Sequence, residues 1–121
     1  MQKVFNCTIN LLKETGQGFE PMDLGPYAIR FRVLGSTTAD AEVLVEHIIT
    51  SSSDLELDGQ ILDSANGNFA FTITAEDTEV LGLGEYPIQI DLLDYDTLTY
   101  VDTITQGGKN GEFNKIFIIQ V

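Results

Sequence analysis

Basic residues are scarce in this chain: six lysines and arginines stand against nineteen aspartates and glutamates, a formal charge of −13. A field of that sign repels phosphate backbones, and no basic patch exists to overcome it, so nucleic acid and anionic membrane surfaces are excluded as expected partners. Tryptophan is absent, which removes the residue that sugar-binding platforms favour. Cys7 is alone. One thiol gives no internal disulfide and fewer ligands than a structural zinc site needs, so the fold must stand on packing. Long apolar runs are also missing, and the longest fall far short of a bilayer span. The first residues lack the basic region and apolar stretch of a signal peptide, so no secretion is expected.

What is present is ordinary hydrophobic content, 43% of 121 residues, enough for one domain spanning 1–121 with a core of its own. No internal repeat, low-complexity tail or linker suggests a second domain. The clearest order lies in 67–93. Phe69, Phe71 and Ile73 fall on one side of one run, and Tyr86, Ile88, Ile90 and Leu92 on one side of the next. Side chains of a strand alternate sides, so each run reads as a strand with one face in a core. Between them, Thr74-Ala75-Glu76-Asp77 has the start signal of one helical turn, with the Thr74 hydroxyl as cap and acids at the positive end. Strand, short helix, Gly84-Glu85-Tyr86 and strand together match the tyrosine corner of an immunoglobulin-like sandwich, which makes Gly84 and Tyr86 its structural corner.

The rest of the chain reads as strands and turns. Phe5, Cys7, Ile9 and Leu11 alternate with polar residues, as do Tyr27, Ile29, Phe31 and Val33, so both segments read as half-buried strands. The intervening 14–26, with Gly16, Gly18, Pro21, Gly25 and Pro26, reads as a long loop. In 43–49 apolar residues occupy both parities, which leaves the inward face open. Leu55, Leu57 and Ile61 alternate with Glu56, Asp58 and Gln60 as a further strand would, and Asn66-Gly67 supplies a turn into the next. Segments 97–105 and 113–121 read as the last two strands, joined by a hairpin tip at Gly107-Gly108-Lys109-Asn110-Gly111. The expected fold is all-β, an antiparallel immunoglobulin-like β-sandwich of about seven to eight strands. Pro87 cannot donate to a ladder, so its strand either is an edge or has its unpaired position there.

Candidate chemistry is thin. Asp54-x-Glu56-x-Asp58-Gly59 has the opening spacing of a calcium loop, but Ala65 stands where the bidentate Glu belongs, and alternating acids also suit the solvent face of a strand. Asp91, Asp94 and Asp96 could share a cation near a turn, and turn chemistry explains Asp94 and Asp96 equally well. His47 has no second ligand at metal spacing and reads as a packed or edge histidine. Ser51-Ser52-Ser53 follows His47 without the pattern of a nucleophile, and the glycines around Lys109 have the wrong spacing for a phosphate loop. Asn6-Cys7-Thr8 matches a glycosylation acceptor in letters only, inside a predicted strand. No catalytic residue, cofactor site or metal site is therefore expected. The last segment has apolar residues on both faces: Phe113, Phe117, Ile119 and Val121 on one, Ile116 and Ile118 on the other. The second pair lies either beneath a loop of the same subunit or against a neighbour, which makes Ile116 and Ile118 the candidate interface.

The stretch Gly67-Asn68-Phe69-Ala70-Phe71-Thr72-Ile73-Thr74-Ala75-Glu76-Asp77, followed by Leu83-Gly84-Glu85-Tyr86-Pro87-Ile88-Gln89-Ile90-Asp91, a turn and two closing strands, resembles the immunoglobulin-like domains of tailed-phage virion proteins. Among these it is similar to the N-terminal domain of baseplate upper proteins. Ile88 stands where antibody domains carry a disulfide cysteine, a departure that excludes an antibody-type bridge. The resemblance implies a non-enzymatic virion component that contacts other virion proteins, either major capsid or baseplate subunits, or copies of itself. An auxiliary or decorating capsid protein is the first expectation, because the chain stops with its closing strand and carries no coiled coil. A baseplate or tail component, or a carbohydrate- or host-binding module, is the alternative.

Overall fold

A computed structural model describes residues 5–36, 38, 40–103 and 115–118, with the backbone alone at 5, 6, 14, 15 and 115–118. The described chain is mostly strand, with one short helix and only antiparallel pairing. In chain order the strands are β1 (Phe5–Asn10), β2 (Leu12–Thr15), β3 (Gly18–Pro21), β4 (Tyr27–Leu34), β5 (Val43–Ile49), β6 (Gly59–Asp63), β7 (Asn68–Ile73), β8 (Gly84–Asp94), β9 (Tyr100–Thr103) and β10 (Lys115–Ile118). Helix α1 (Ala75–Leu81) lies between β7 and β8.

One sheet has the order β1-β7-β6, and a larger one runs β10-β8-β4-β5, with β9 also paired to β8. The expected alternation is what joins them. Ile29, Phe31 and Val33 of β4, with Ile88, Ile90 and Leu92 of β8, meet Phe69, Phe71 and Ile73 of β7 in one core. Phe31 and Phe71 stack across the gap, with ring centroids 4.1 Å apart. The uncertain face of β5 resolves to Val45 and Ile49, both buried. Cys7 is exposed although its strand alternates, because β1 is the outer strand of the small sheet.

Three local expectations are corrected. Segment 14–26 is not a continuous loop, since β2 and β3 pair from Leu12↔Pro21 to Thr15↔Gly18 around a turn at Gly16 and Gln17. Residues 54–58 form a turn, not a strand. The Asp54 carbonyl accepts the N–H groups of Leu57, Asp58 and Gly59, and its carboxylate accepts that of Glu56 at 2.9 Å. Here the side chain of Asp competes with a ladder for backbone donors, and the turn wins. Finally, among the described residues β9 and β10 are not partners in a hairpin. Both run antiparallel to β8, with Thr103 opposite Asp91 and Lys115 opposite Pro87. The glycines of 107–111 lie outside the described residues. On the β4 side Pro87 sits just past the last pair, Val33↔Ile88, so it is unpaired there, while on the β10 side it stands opposite Lys115.

Candidate functional site

The corner is built as its residues require. Thr74 accepts the Asp77 N–H at 3.1 Å while the Asp77 carboxylate accepts the Thr74 N–H at 2.9 Å, a reciprocal capping box that starts α1. The helix ends at Gly82, whose N–H donates to the Thr78 carbonyl. The Tyr86 ring packs against the core and its hydroxyl donates to the Leu81 carbonyl, with the Gly82 carbonyl 3.5 Å away. Gly84 has φ +149°, and a Cβ there would lie 3.6 Å from the Tyr86 ring. Gly84 and Tyr86 therefore hold the helix end to the start of β8. Ile116 and Ile118 stand opposite these same two residues, in the pairs Ile116↔Tyr86 and Ile118↔Gly84; their side chains lie outside the described residues.

His47 proves to be the hub of a charged clasp that the sequence pattern conceals. Its ring is only 11% exposed; Nδ1 lies 2.8 Å from Asp58 Oδ1 and Nε2 2.7 Å from Asp77 Oδ2. The three residues come from β5, the 54–58 turn and α1, separated by 11 and 30 positions in sequence. Burial of the ring is the largest single influence and lowers its pKa. The hydrogen bonds and negative charges of Asp58 and Asp77 together outweigh it, so the net shift is upward. Because both ring nitrogens are engaged, His47 has none left to take a proton from a nucleophile. Ser53 is occupied elsewhere, donating to the Thr50 and Gly59 carbonyls. No spacing rule links such distant partners, so only the fold brings them together.

The two acidic groups singled out in the sequence are taken apart by the structure. Asp91 is fully buried and receives Arg30 through Nε at 3.0 Å and Nη2 at 2.7 Å. Gln89 and Thr103 donate to the same carboxylate. These are adjacent rungs of the large sheet: Arg30 pairs with Asp91 and Asp91 with Thr103. Asp94 instead caps its own turn. The Thr97 and Asp96 amides hold its carboxyl below the ordinary value by bonding to Oδ1. Among the described residues, no group of three or more His, Cys, Asp or Glu could hold a metal ion. Asp58 of the calcium-like segment faces His47 instead.

The opposite end of the molecule has a different character. The arm made by β2 and β3 pairs with neither main sheet. It is rooted where the Leu11 N–H donates to the Gly67 carbonyl at 2.8 Å and the Met22 N–H to the Leu11 carbonyl at 3.0 Å. Gly67 has φ +69°, and a Cβ there would fall 2.5 Å from the Leu11 carbonyl, so only glycine permits the root. Phe19 on the arm is 70% exposed and Leu12 57%. Opposite residues of an antiparallel ladder share a face, so the pair Leu12↔Pro21 and the position of Phe19, two residues before Pro21, give the arm one apolar side. A two-residue connection flanked by β-forming residues is a hairpin signal, and Thr15-Gly16-Gln17-Gly18-Phe19 carries it; the flanking breakers obscured it. No protein-family model matches the chain, and no curated protein matches its sequence.

Proposed function

We propose that the chain is an immunoglobulin-like structural subunit of a tailed-phage particle, without enzymatic activity, that packs on the particle lattice as an auxiliary or decorating capsid protein. The strand order supports the fold. Sheets β1-β7-β6 and β5-β4-β8-β10 correspond to strands B-E-D and C′-C-F-G of an immunoglobulin-like sandwich, with the tyrosine corner between E and F. The proposal for assembly rests on one observation, the projecting β2–β3 arm with its exposed Phe19 and Leu12. A lone two-stranded ribbon is at best marginally stable in water, and its apolar side suits addition to a neighbouring protein. With a chain charge of −13, the neighbour is a basic surface of another virion protein, approached by electrostatic attraction. The His47 clasp, with both nitrogens bonded to carboxylates, serves stability in this reading.

Quantitative mass spectrometry of purified particles from the source tests the proposal. Hundreds of copies per particle mean the capsid lattice, whereas a small multiple of about six means a tail or baseplate position. Absence from particles overturns the proposal.

A further inference from the structure

A shallow open cleft of about 210 Å³ lies between the loops at one end of the two sheets. Leu24 and Gly25 come from the β3–β4 connection, Tyr27 from the start of β4, and Ser51 from the segment after β5. Ile61 on β6, Ser64 in the turn that follows it, and Tyr95 just past β8 complete the lining. The backbone fixes these loops to one another: the Tyr95 N–H donates to the Pro26 carbonyl at 3.1 Å, and the Leu24 N–H to the Ser64 carbonyl at 2.7 Å. The Ile61 N–H, in turn, donates to the Thr50 carbonyl at 2.9 Å.

Two properties of this lining define a ligand. First, it carries no charged side chain, although 21% of the chain is charged; neither an anion nor a cation finds a counter-charge there. Second, four of the seven lining residues, Tyr27, Ser51, Ser64 and Tyr95, bring hydroxyl groups, each able to donate and accept. None of these hydroxyls is bonded to another described group, in contrast to those of Ser53 and Thr72, which are both engaged. Tyr27 and Tyr95 also add aromatic side chains to the lining, the amphipathic kind of group on which an alternately polar and apolar molecule rests. The volume is below the roughly 300–1,000 Å³ of drug-sized sites, which suits a single sugar ring.

We propose that this cleft binds one residue of a neutral saccharide, its hydroxyls met by Ser51 and Ser64 and its apolar face by Tyr27 and Tyr95. Such binding is a function separate from assembly. It needs only the isolated chain, so its test does not depend on the particle.

The test is a heteronuclear NMR titration of the purified chain with glucose, galactose and N-acetylglucosamine, and with glucuronate as the anionic control. At least one neutral sugar is expected to give saturable shifts with a dissociation constant of order millimolar, confined to the amides of the lining residues. Tyr95→Ala and Ser51→Ala alter exposed positions and should leave the melting temperature in place. Tyr95→Ala is expected to weaken binding at least about tenfold and Ser51→Ala by a few-fold. The proposal is overturned if no neutral sugar gives a saturable shift, if glucuronate binds as well, or if both variants bind like the parent chain.

Discussion

The two ends of this molecule spend their polar groups in opposite ways. Around α1 the hydroxyl of Tyr86, the hydroxyl and amide of Thr74, the carboxylates of Asp58 and Asp77 and both nitrogens of His47 are all bonded within the chain. At the loop end the cleft hydroxyls are unbonded among the described residues and Phe19 is exposed on its arm. Buried polar groups that are fully satisfied rigidify a structure, and unsatisfied or apolar groups at a surface are what a partner can use. The corner end therefore carries stability and the loop end carries contact, and substitutions at the two should separate cleanly.

The largest effect belongs to the corner. Tyr86→Ala removes an aromatic ring from the core edge and strands the Leu81 carbonyl, so it should cost about 3 to 5 kcal/mol in urea unfolding. Tyr86→Phe keeps the ring and should cost only about 1 kcal/mol. Equal losses would mean that packing and the hydroxyl bond cannot be told apart there, and the corner would lose its special place.

The next largest effect concerns the last strand. The sequence pattern sets Ile116 and Ile118 apart from Phe117 as a candidate interface, and the backbone ladder places them opposite Tyr86 and Gly84. If the pair faces a neighbour, changing both to Ser should leave a folded monomer and remove on the order of 2 to 4 kcal/mol from each contact, so that incorporation into particles is lost. A double variant that unfolds would assign both residues to the subunit's own core.

How much of this was readable from the sequence follows from the range of the interactions. The β7 and β8 strands, the Thr74 cap and the Gly84-Glu85-Tyr86 corner are all local patterns, and the structure carries each of them, although both strands bury their second face as well, through Ala70 and Thr72 on β7 and Asp91 and Leu93 on β8. The Leu55, Leu57 and Ile61 alternation misled, because the Asp54 carbonyl gathers three amides into a turn before β6 begins. The β2–β3 hairpin was hidden for the opposite reason: β3 is exposed throughout, so no hydrophobic period marks it. His47 was read as a packed or edge histidine, and it is packed. Its two carboxylates arrive from 11 and 30 residues away, a distance at which pattern carries no information.

A smaller effect should come from pH, through the His47 clasp. The pKa of His47 is raised in the folded chain by its carboxylate partners. The folded state thus holds the proton more tightly than the unfolded one, and the clasp contributes fully below the ordinary histidine value of about 6.5. That contribution is lost as pH rises through the elevated folded value. The melting temperature should therefore decline across this range, and His47→Gln should flatten the decline. A parent chain whose melting temperature rises over the same interval would contradict the clasp.

The smallest effect on stability, with the largest on contact, is expected at the arm. Phe19 is exposed and pairs only across the ribbon, opposite Glu14. Phe19→Ser should accordingly change unfolding free energy by no more than about 0.5 kcal/mol. If the arm is the docking element, the same substitution should sharply reduce incorporation into particles. Raising the salt concentration should weaken incorporation of the parent chain as well, because an acidic subunit approaching a basic surface is steered by screened charges. A Phe19→Ser chain that folds and enters particles at the parent level would remove the arm from the interface. One that unfolds would show that the ribbon belongs to the stable half of the molecule, and the division between the two ends would fail at its outermost residue.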